Sequence, residues 1–214
     1  TLRDFQPEEA CFPETNYHFV GPAVDDRAEE PFSFEKSGNP IVYISFGTLI
    51  HADKRFWKKL IAAFAGKRVE VVCSVGSEKL VRALGDLPPN VRVFAKVPQL
   101  TLLCRAALFV THGGMNSVNE ALYYGVPMIV LPFGLDQLLV GRELQRRKLG
   151  RVIVPRELTA AQLWQTAKEL LRDPEAREAR LAIKRKARAS GGNREVTRRI
   201  LEDLAARDAR GTAE

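Results

Sequence analysis

Cysteine is scarce in this 214-residue chain and follows no pattern: Cys11, Cys73 and Cys104 are odd in number, widely spaced and without a CxxC pair. That excludes a disulfide framework and a cysteine-based zinc site. Long apolar runs are also missing. The longest, around Val126–Leu131, falls far short of the roughly 20 residues a spanning helix needs, and no basic segment leads into an apolar one at the N-terminus. The expectation is a cytoplasmic chain with no membrane span. A GxGxxG dinucleotide fingerprint is absent after the first apolar run, where Ser45-Phe46-Gly47-Thr48 stands instead, and no GxxxxGK[ST] phosphate loop occurs anywhere. There is no DxD-type acidic pair to suggest a metal. Histidine is limited to His18, His51 and His112.

What is present is the composition of a globular protein, 45% apolar and 28% charged. A chain of this length buries roughly 70% of its unfolded surface, enough for a core without covalent staples. The net charge of +7 is unevenly placed: residues 142–214 hold 19 Lys+Arg against 11 Asp+Glu, whereas residues 1–141 hold 14 against 15. A basic end raises the possibility of nucleic acid or an acidic membrane surface. Its densest cluster, Lys184, Arg185, Lys186 and Arg188, lies in a helical pattern without interleaved aromatics and reads as a solvated helix face, so no nucleic-acid partner is expected.

Residues 1–38 show no period and carry Pro7, Pro13, Pro22 and Pro31. From Ile41 short β-branched or aromatic runs recur at Ile41–Phe46, Val69–Ser74, Val91–Ala95, Leu108–Val110, Pro127–Leu131 and Val152–Val154, separated by stretches of helical spacing. Strands joined by helices of this length pair in parallel through crossovers, which predicts an α/β sheet covered on both faces. After Val154 only helices are expected: one capped by Thr159 and ending near Leu171, one capped by Asp173 and opened by Pro174, and one capped by Asn193 with an apolar stripe of Val196, Ile200, Leu201 and Leu204.

The chemistry concentrates in Phe109-Val-Thr-His-Gly-Gly-Met-Asn-Ser-Val-Asn-Glu-Ala-Leu122. A strand runs into a Gly-Gly turn, and polar residues open a helix. Unpaired N–H groups at a helix N-terminus favour an anion, and glycines let it approach the backbone closely. The helix dipole supplies only about 0.3–1 kcal/mol per charge, so hydrogen bonds must carry most of any affinity. Glu120, one turn into the helix, is a carboxylate able to accept ribose hydroxyls. A plain strand–turn–helix, with Gly-Gly as turn chemistry and Ser117 as a cap, fits the same residues.

His112 to Glu120, followed by Gly125-Val-Pro-Met-Ile-Val-Leu-Pro132 and Asp136-Gln137, resembles the donor-binding signature of nucleotide-sugar-dependent glycosyltransferases of the GT-B fold. The likeness is to the bacterial macrolide-type UDP-glycosyltransferases. It extends to Val97-Pro-Gln99, Ser45-Phe-Gly-Thr48 and Phe19-Val-Gly-Pro22, and covers about Phe5 to Leu204. The resemblance implies a Rossmann-like parallel sheet with helices on both faces, the C-terminal half of a GT-B fold, followed by C-terminal helices. It divides the chain into the end of an N-terminal domain or linker (1–38), a nucleotide-sugar donor-binding domain (39–190) and a C-terminal helix and tail (191–214).

By the same resemblance, Thr48, His112, Gly114, Asn116 and Ser117 would hold the donor's phosphates, Glu120 the ribose, Val97 and Gln99 the base, and Asp136 and Gln137 the sugar. Simpler roles stand beside these: satisfying a buried backbone group for His112, a turn for Thr48, a helix cap for Asp136 or Gln99. The family often has an aromatic residue before Val-Pro-Gln; here Lys96 stands there, with Phe94 two residues earlier. The donor implied is a UDP- or dTDP-hexose, with no cofactor and no metal, and the acceptor is the hydroxyl of a small natural product. No catalytic residue is expected in this chain, because the family's general base belongs to an N-terminal acceptor domain. Such a chain is the donor half of an inverting enzyme, nearly inactive alone; alternatives are a donor-binding subunit of a two-chain transferase, a non-catalytic nucleotide-binding module and, least supported, a nucleic-acid-binding module.

Overall fold

The computed structural model describes residues 2–5, 17–24, 32, 38–47, 50 and 52–211. Six strands form one parallel sheet: β1 (Ile41–Ser45), β2 (Glu70–Ser74), β3 (Val91–Phe94), β4 (Ala106–Thr111), β5 (Met128–Val130) and β6 (Gly150–Val152). Their order, β3-β2-β1-β4-β5-β6, is that of a doubly wound sheet, with the chain reversing direction between β1 and β4. The connecting helices are α1 (Lys54–Phe64), α2 (Glu78–Leu84), α3 (Gln99–Leu103), α4 (Met115–Tyr124) and α5 (Leu135–Arg146); α6 (Ala160–Arg172), α7 (Pro174–Ala189) and α8 (Gly192–Gly211) follow the sheet.

Alternation along the strands separates two cores. Val42, Ile44 and Phe46 of the β1 segment point with Val71, Cys73, Val110 and Ile129 toward α1 and α6, where Trp57, Leu60, Phe64, Leu163 and Leu170 cover them. Ile41 and Tyr43 point with Val72, Phe109, Met128 and Val130 to the opposite face, covered by Leu102, Val118, Leu122, Leu144 and Ile183. With both faces covered, β1 is buried at every residue, which explains why its sequence is a nearly unbroken apolar run. Thr159 caps α6 through Gln162 N, and Asp173 caps α7 through the backbone N–H groups of Glu175 and Ala176, as the sequence predicts.

Two expectations need correction. The last strand is Gly150–Val152, not Val152–Val154: Ile153 N still bonds to Val130 O at 3.0 Å, but Pro155 then opens a 3-10 turn and stops the ladder. Asn193 lies inside α8 rather than capping it. The break comes one residue earlier, at Gly191 and Gly192, both with positive φ. Gly192 N donates to Val20 O at 2.8 Å, and a Cβ on Gly192 would stand 2.5 Å from Pro22 O, so this turn is fitted against the segment before the sheet. The apolar stripe of α8 is exposed, from 37% at Val196 to 61% at Leu201.

Candidate functional site

Where β1 and β4 send their following helices to opposite faces, a crevice opens beyond the carboxyl ends of the strands, the usual ligand position in an open α/β sheet. A cavity of about 650 Å³ lies there. Three neighbouring strands reach it through one repeated local sequence, a hydroxyl residue, one further residue and a glycine: Ser74-Val75-Gly76, Ser45-Phe46-Gly47 and Thr111-His112-Gly113. Ser45 is in register with both Ser74 and Thr111, so the hydroxyls form a row across the sheet. All three glycines have positive φ (76°, 69° and 91°), a conformation that side chains other than glycine rarely adopt. Gly47 N and Gly113 N each donate to the hydroxyl two residues earlier, at 3.4 Å.

In the middle position Phe46 and Val75 are buried core residues. His112 is half-buried instead, with its ring between the backbones of two turns: a Cβ on Gly47 would stand 3.2 Å from its Cε1, and one on Gly114 only 2.3 Å from its Nε2. His112 Nδ1 is buried and bonds to nothing among the described residues. Burial lowers the His112 pKa, while the nearby Asp136 carboxylate works the other way. Beside the ring, α4 begins at Gly114 with no side-chain cap, so its first N–H groups lack the usual side-chain acceptor. Asn116 and Ser117 follow on the cavity wall.

The far wall carries Ala95, Lys96, Val97 and Gln99. Val97 is 6% exposed with its side chain in the second core, while Lys96 is exposed. Phe94 does not line the cavity; its ring meets Phe32 edge-on, with centroids 5.3 Å apart. Gln99 is the first residue of α3 and does not cap it. Its Nε2 donates to Ser117 Oγ at 3.1 Å and to Glu120 Oε2 at 2.5 Å, and its Oε1 accepts from the Tyr43 hydroxyl at 3.1 Å. Burial raises the Glu120 pKa and the Gln99 hydrogen bond opposes that rise.

Asp136 and Gln137 stand in the first turn of α5, just beyond the His112 end of the cavity. The N-cap of α5 is Gly134, so Asp136 is not the cap. Gln137 Oε1 accepts from Phe133 N at 2.8 Å, which holds the turn and leaves the amide nitrogen as donor. The backbone oxygen of Gln137 stands 3.2 Å from where a Gly113 Cβ would be, so the turn after β4 touches the first turn of α5. Thr48 lies outside the described residues, as does His51; Gly47, next to Thr48, is on the cavity wall.

The structure therefore gathers His112, Gly114, Asn116, Ser117, Val97 and Gln99 around one space, with Glu120 joined to it through Gln99 and with Asp136 and Gln137 adjoining it. Sequence reasoning missed Tyr43, Ser45, Ser74 and Gly76. The hydroxyl ending each strand and the glycine two residues later were the available signal. The assembly suits a phosphorylated nucleoside: N–H groups and an imidazole at one end, an acceptor carboxylate in the middle, backbone and amide groups beyond it. Among the described residues no group of three or more His, Cys, Asp or Glu is arranged to hold a metal, and no helix is long and apolar enough to cross a membrane.

Comparison with known proteins agrees with this fold. Residues 58–204 match the family described as "Erythromycin biosynthesis protein CIII-like, C-terminal domain". The chain is 37% identical over 204 residues to the uncharacterized UDP-glucosyltransferase YojK of Bacillus subtilis, covering 94% of this chain and 50% of that protein. Among solved structures, the kitacinnamycin glycotransferase superposes with a TM-score of 0.85 at 31% identity, over 93% of this chain and 52% of that one. The glycosyltransferase VinC, crystallised in complex with dTDP, superposes with a TM-score of 0.66 at 27% identity, over 87% and 46%. The chain spans about half the length of the curated relatives it matches.

Proposed function

The chain belongs to the erythromycin biosynthesis protein CIII-like C-terminal domain family, and from that premise we propose that it is the nucleotide-sugar-binding half of an inverting glycosyltransferase. The observation that carries this reading is the placement of His112 between two glycine backbones, beside the uncapped start of α4, in the same cavity as Gln99, whose amide holds the Glu120 carboxylate. The diphosphate sits on the α4 N-terminus with Gly114, Asn116, Ser117 and Thr48 around it and the His112 imidazole donating to it. Glu120 accepts from the ribose, Val97 and Gln99 meet the base, and Asp136 and Gln137 bind hydroxyls of the hexose. The donor unit is residues 39–190, flanked by 1–38 and 191–214.

In an inverting transfer the acceptor oxygen attacks the anomeric carbon as the bond to the diphosphate breaks, and negative charge grows on the departing phosphate oxygen. Donors fixed in place before the reaction stabilise that charge without reorganising. The helix dipole contributes about 0.3–1 kcal/mol per charge, and hydrogen bonds to a charged phosphate about 1.5–3 kcal/mol each, so His112 and the N–H groups of α4 outweigh the dipole. The acceptor, a small natural product by analogy with the kitacinnamycin enzyme, and the base that deprotonates it belong to a second, acceptor-binding half. This chain alone then binds the donor and transfers little sugar.

Titration calorimetry with UDP and dTDP on the wild type and on Glu120→Ala tests the proposal. Binding of at least one nucleotide, weakened in Glu120→Ala, is expected; no heat with either nucleotide would sink it. The relatives named for UDP and crystallised with dTDP leave the base to this measurement.

A further inference from the structure

The deepest polar feature of the cavity begins on the central strand. Tyr43, in the middle of β1, is 1% exposed, and its ring lies stacked on Phe109 of β4, centroids 4.9 Å apart and planes 7° from parallel. Strand register and stacking leave this side chain little freedom, yet Tyr43 lines the cavity and its hydroxyl donates to Gln99 Oε1. Burial keeps the phenol well above its ordinary pKa, so the hydroxyl holds its proton. That proton is the one donated to Gln99 Oε1, at 3.1 Å.

An amide has a donor end and an acceptor end. With Oε1 held by Tyr43, Nε2 must face Ser117 and Glu120, as observed. Turned over, Gln99 would set an acceptor against the Glu120 carboxylate. We propose that Tyr43 is a positioning residue for the ribose-binding carboxylate: its hydroxyl sets which way the Gln99 amide faces, and that amide holds Glu120 beside the cavity. This inference rests on Glu120 being the ribose-binding residue. Gln and Glu each lose rotamer freedom worth up to about 2 kcal/mol when fixed, so a network that fixes both during folding spares the ligand that cost.

The test is calorimetry of the 214-residue chain with UDP and with 2′,3′-dideoxy-UDP, which lacks the hydroxyls Glu120 would accept. Tyr43→Phe is expected to weaken UDP binding roughly three- to tenfold, the worth of one net hydrogen bond, while dideoxy-UDP binds as in the wild type. Unchanged dideoxy-UDP binding also reports an intact fold. Gln99→Leu, which leaves β1 untouched but also removes a base contact, is expected to weaken both ligands while lowering the preference for UDP over dideoxy-UDP by roughly the same three- to tenfold, and adding Tyr43→Phe to it is expected to cost nothing more. Equal weakening of both ligands in Tyr43→Phe, or an unchanged preference for UDP in either variant while Glu120→Ala abolishes it, overturns the positioning role. A preference for UDP that survives Glu120→Ala is a different result, and it removes the ribose assignment itself.

Discussion

Adjacent glycines, Gly113 and Gly114, are expected to respond to alanine in opposite ways. Gly114 has φ −62° and ψ 134°, open to any residue, so alanine there meets no backbone strain. Its Cβ would instead fall 2.3 Å from His112 Nε2 and 2.8 Å from Cε1, and the imidazole must turn away. Displacing a ring from its preferred rotamer costs about 0.5–1.5 kcal/mol, and alanine is a poorer N-cap than glycine by up to about 1 kcal/mol. The sum, about 1–2 kcal/mol, lowers Tm by roughly 2–8 °C for a chain of this size. The binding loss is larger: His112 no longer reaches the phosphate, and a charge-assisted hydrogen bond of about 1.5–3 kcal/mol corresponds to roughly 10- to 150-fold in Kd.

At Gly113 the balance reverses. Alanine would sit at φ +91° with its Cβ 2.8 Å from Val130 Cγ1, inside the second core. Positive φ costs about 1–2 kcal/mol and overpacking a further 1–3 kcal/mol, so this variant loses about 2–5 kcal/mol of stability. Thermal melts and UDP titrations on both variants separate the two effects. A His112→Ala/Gly114→Ala double variant is expected to bind no worse than His112→Ala, because both changes remove one contact. Wild-type UDP affinity in Gly114→Ala would refute the placement of His112 on the phosphate.

Three further outcomes are expected. The His112 pKa is lowered by burial below 6.5, so the unfolded chain takes up this proton first as pH falls and stability declines from pH 6.5 downward; a bound diphosphate favours the imidazolium, so calorimetry in buffers of different ionisation enthalpy near pH 6.5 shows proton uptake on nucleotide binding that His112→Gln loses. The Glu120 pKa is raised by burial above 4.5, so stability is lost as pH rises through its folded pKa; Glu120→Gln then melts higher than wild type at pH 7, the gain fading toward pH 4, and loses its preference for UDP over dideoxy-UDP. Asn90 ties the α1–β2 turn, Nδ2 donating to Phe64 O at 2.9 Å, Val69 O at 3.0 Å and Lys67 O at 3.3 Å while Oδ1 accepts from Gly66 N at 3.2 Å; Asn90→Ala costs about 2 kcal/mol by denaturant melts with UDP affinity unchanged.

The layered fold was legible because buried parallel strands are written as short β-branched runs, and five of the six share three residues or more with the run that signals them, the sixth only Val152. The sixth, Gly150–Val152, begins with glycine and arginine, which carry no strand signal; its pairing with Met128–Val130 is a tertiary effect. His112 and Gly114 in the β4 turn, and Ser117 and Glu120 in the first turns of α4, were legible from turn chemistry and the family signature. Tyr43 was not, since a tyrosine inside an apolar strand looks like core, and only its partner distinguishes it. The hydroxyl-x-glycine pattern at Ser74, Ser45 and Thr111 was readable strand by strand, but that the three hydroxyls form one row depends on register between strands.

That row also explains why the chemistry sits at one turn of three. Residues Val75, Phe46 and His112 follow their hydroxyls on the same side of the sheet, continuing the alternation of β2, β1 and β4. At β2 and β1 the apolar side chain is taken up by the α1-side core, 9% exposed at Val75 and 1% at Phe46, and a histidine there would be a buried polar group. Only β4 turns into a helix on the opposite face, so its turn stands at the crevice where α1 and α4 part, and the ring at His112 keeps one edge in the cavity. A histidine in this slot therefore costs the core little and gains access to a ligand. Exchanging Phe46 and His112 is expected to unfold the chain rather than relocate the site, because the sheet order, not the local sequence, decides which turn is open.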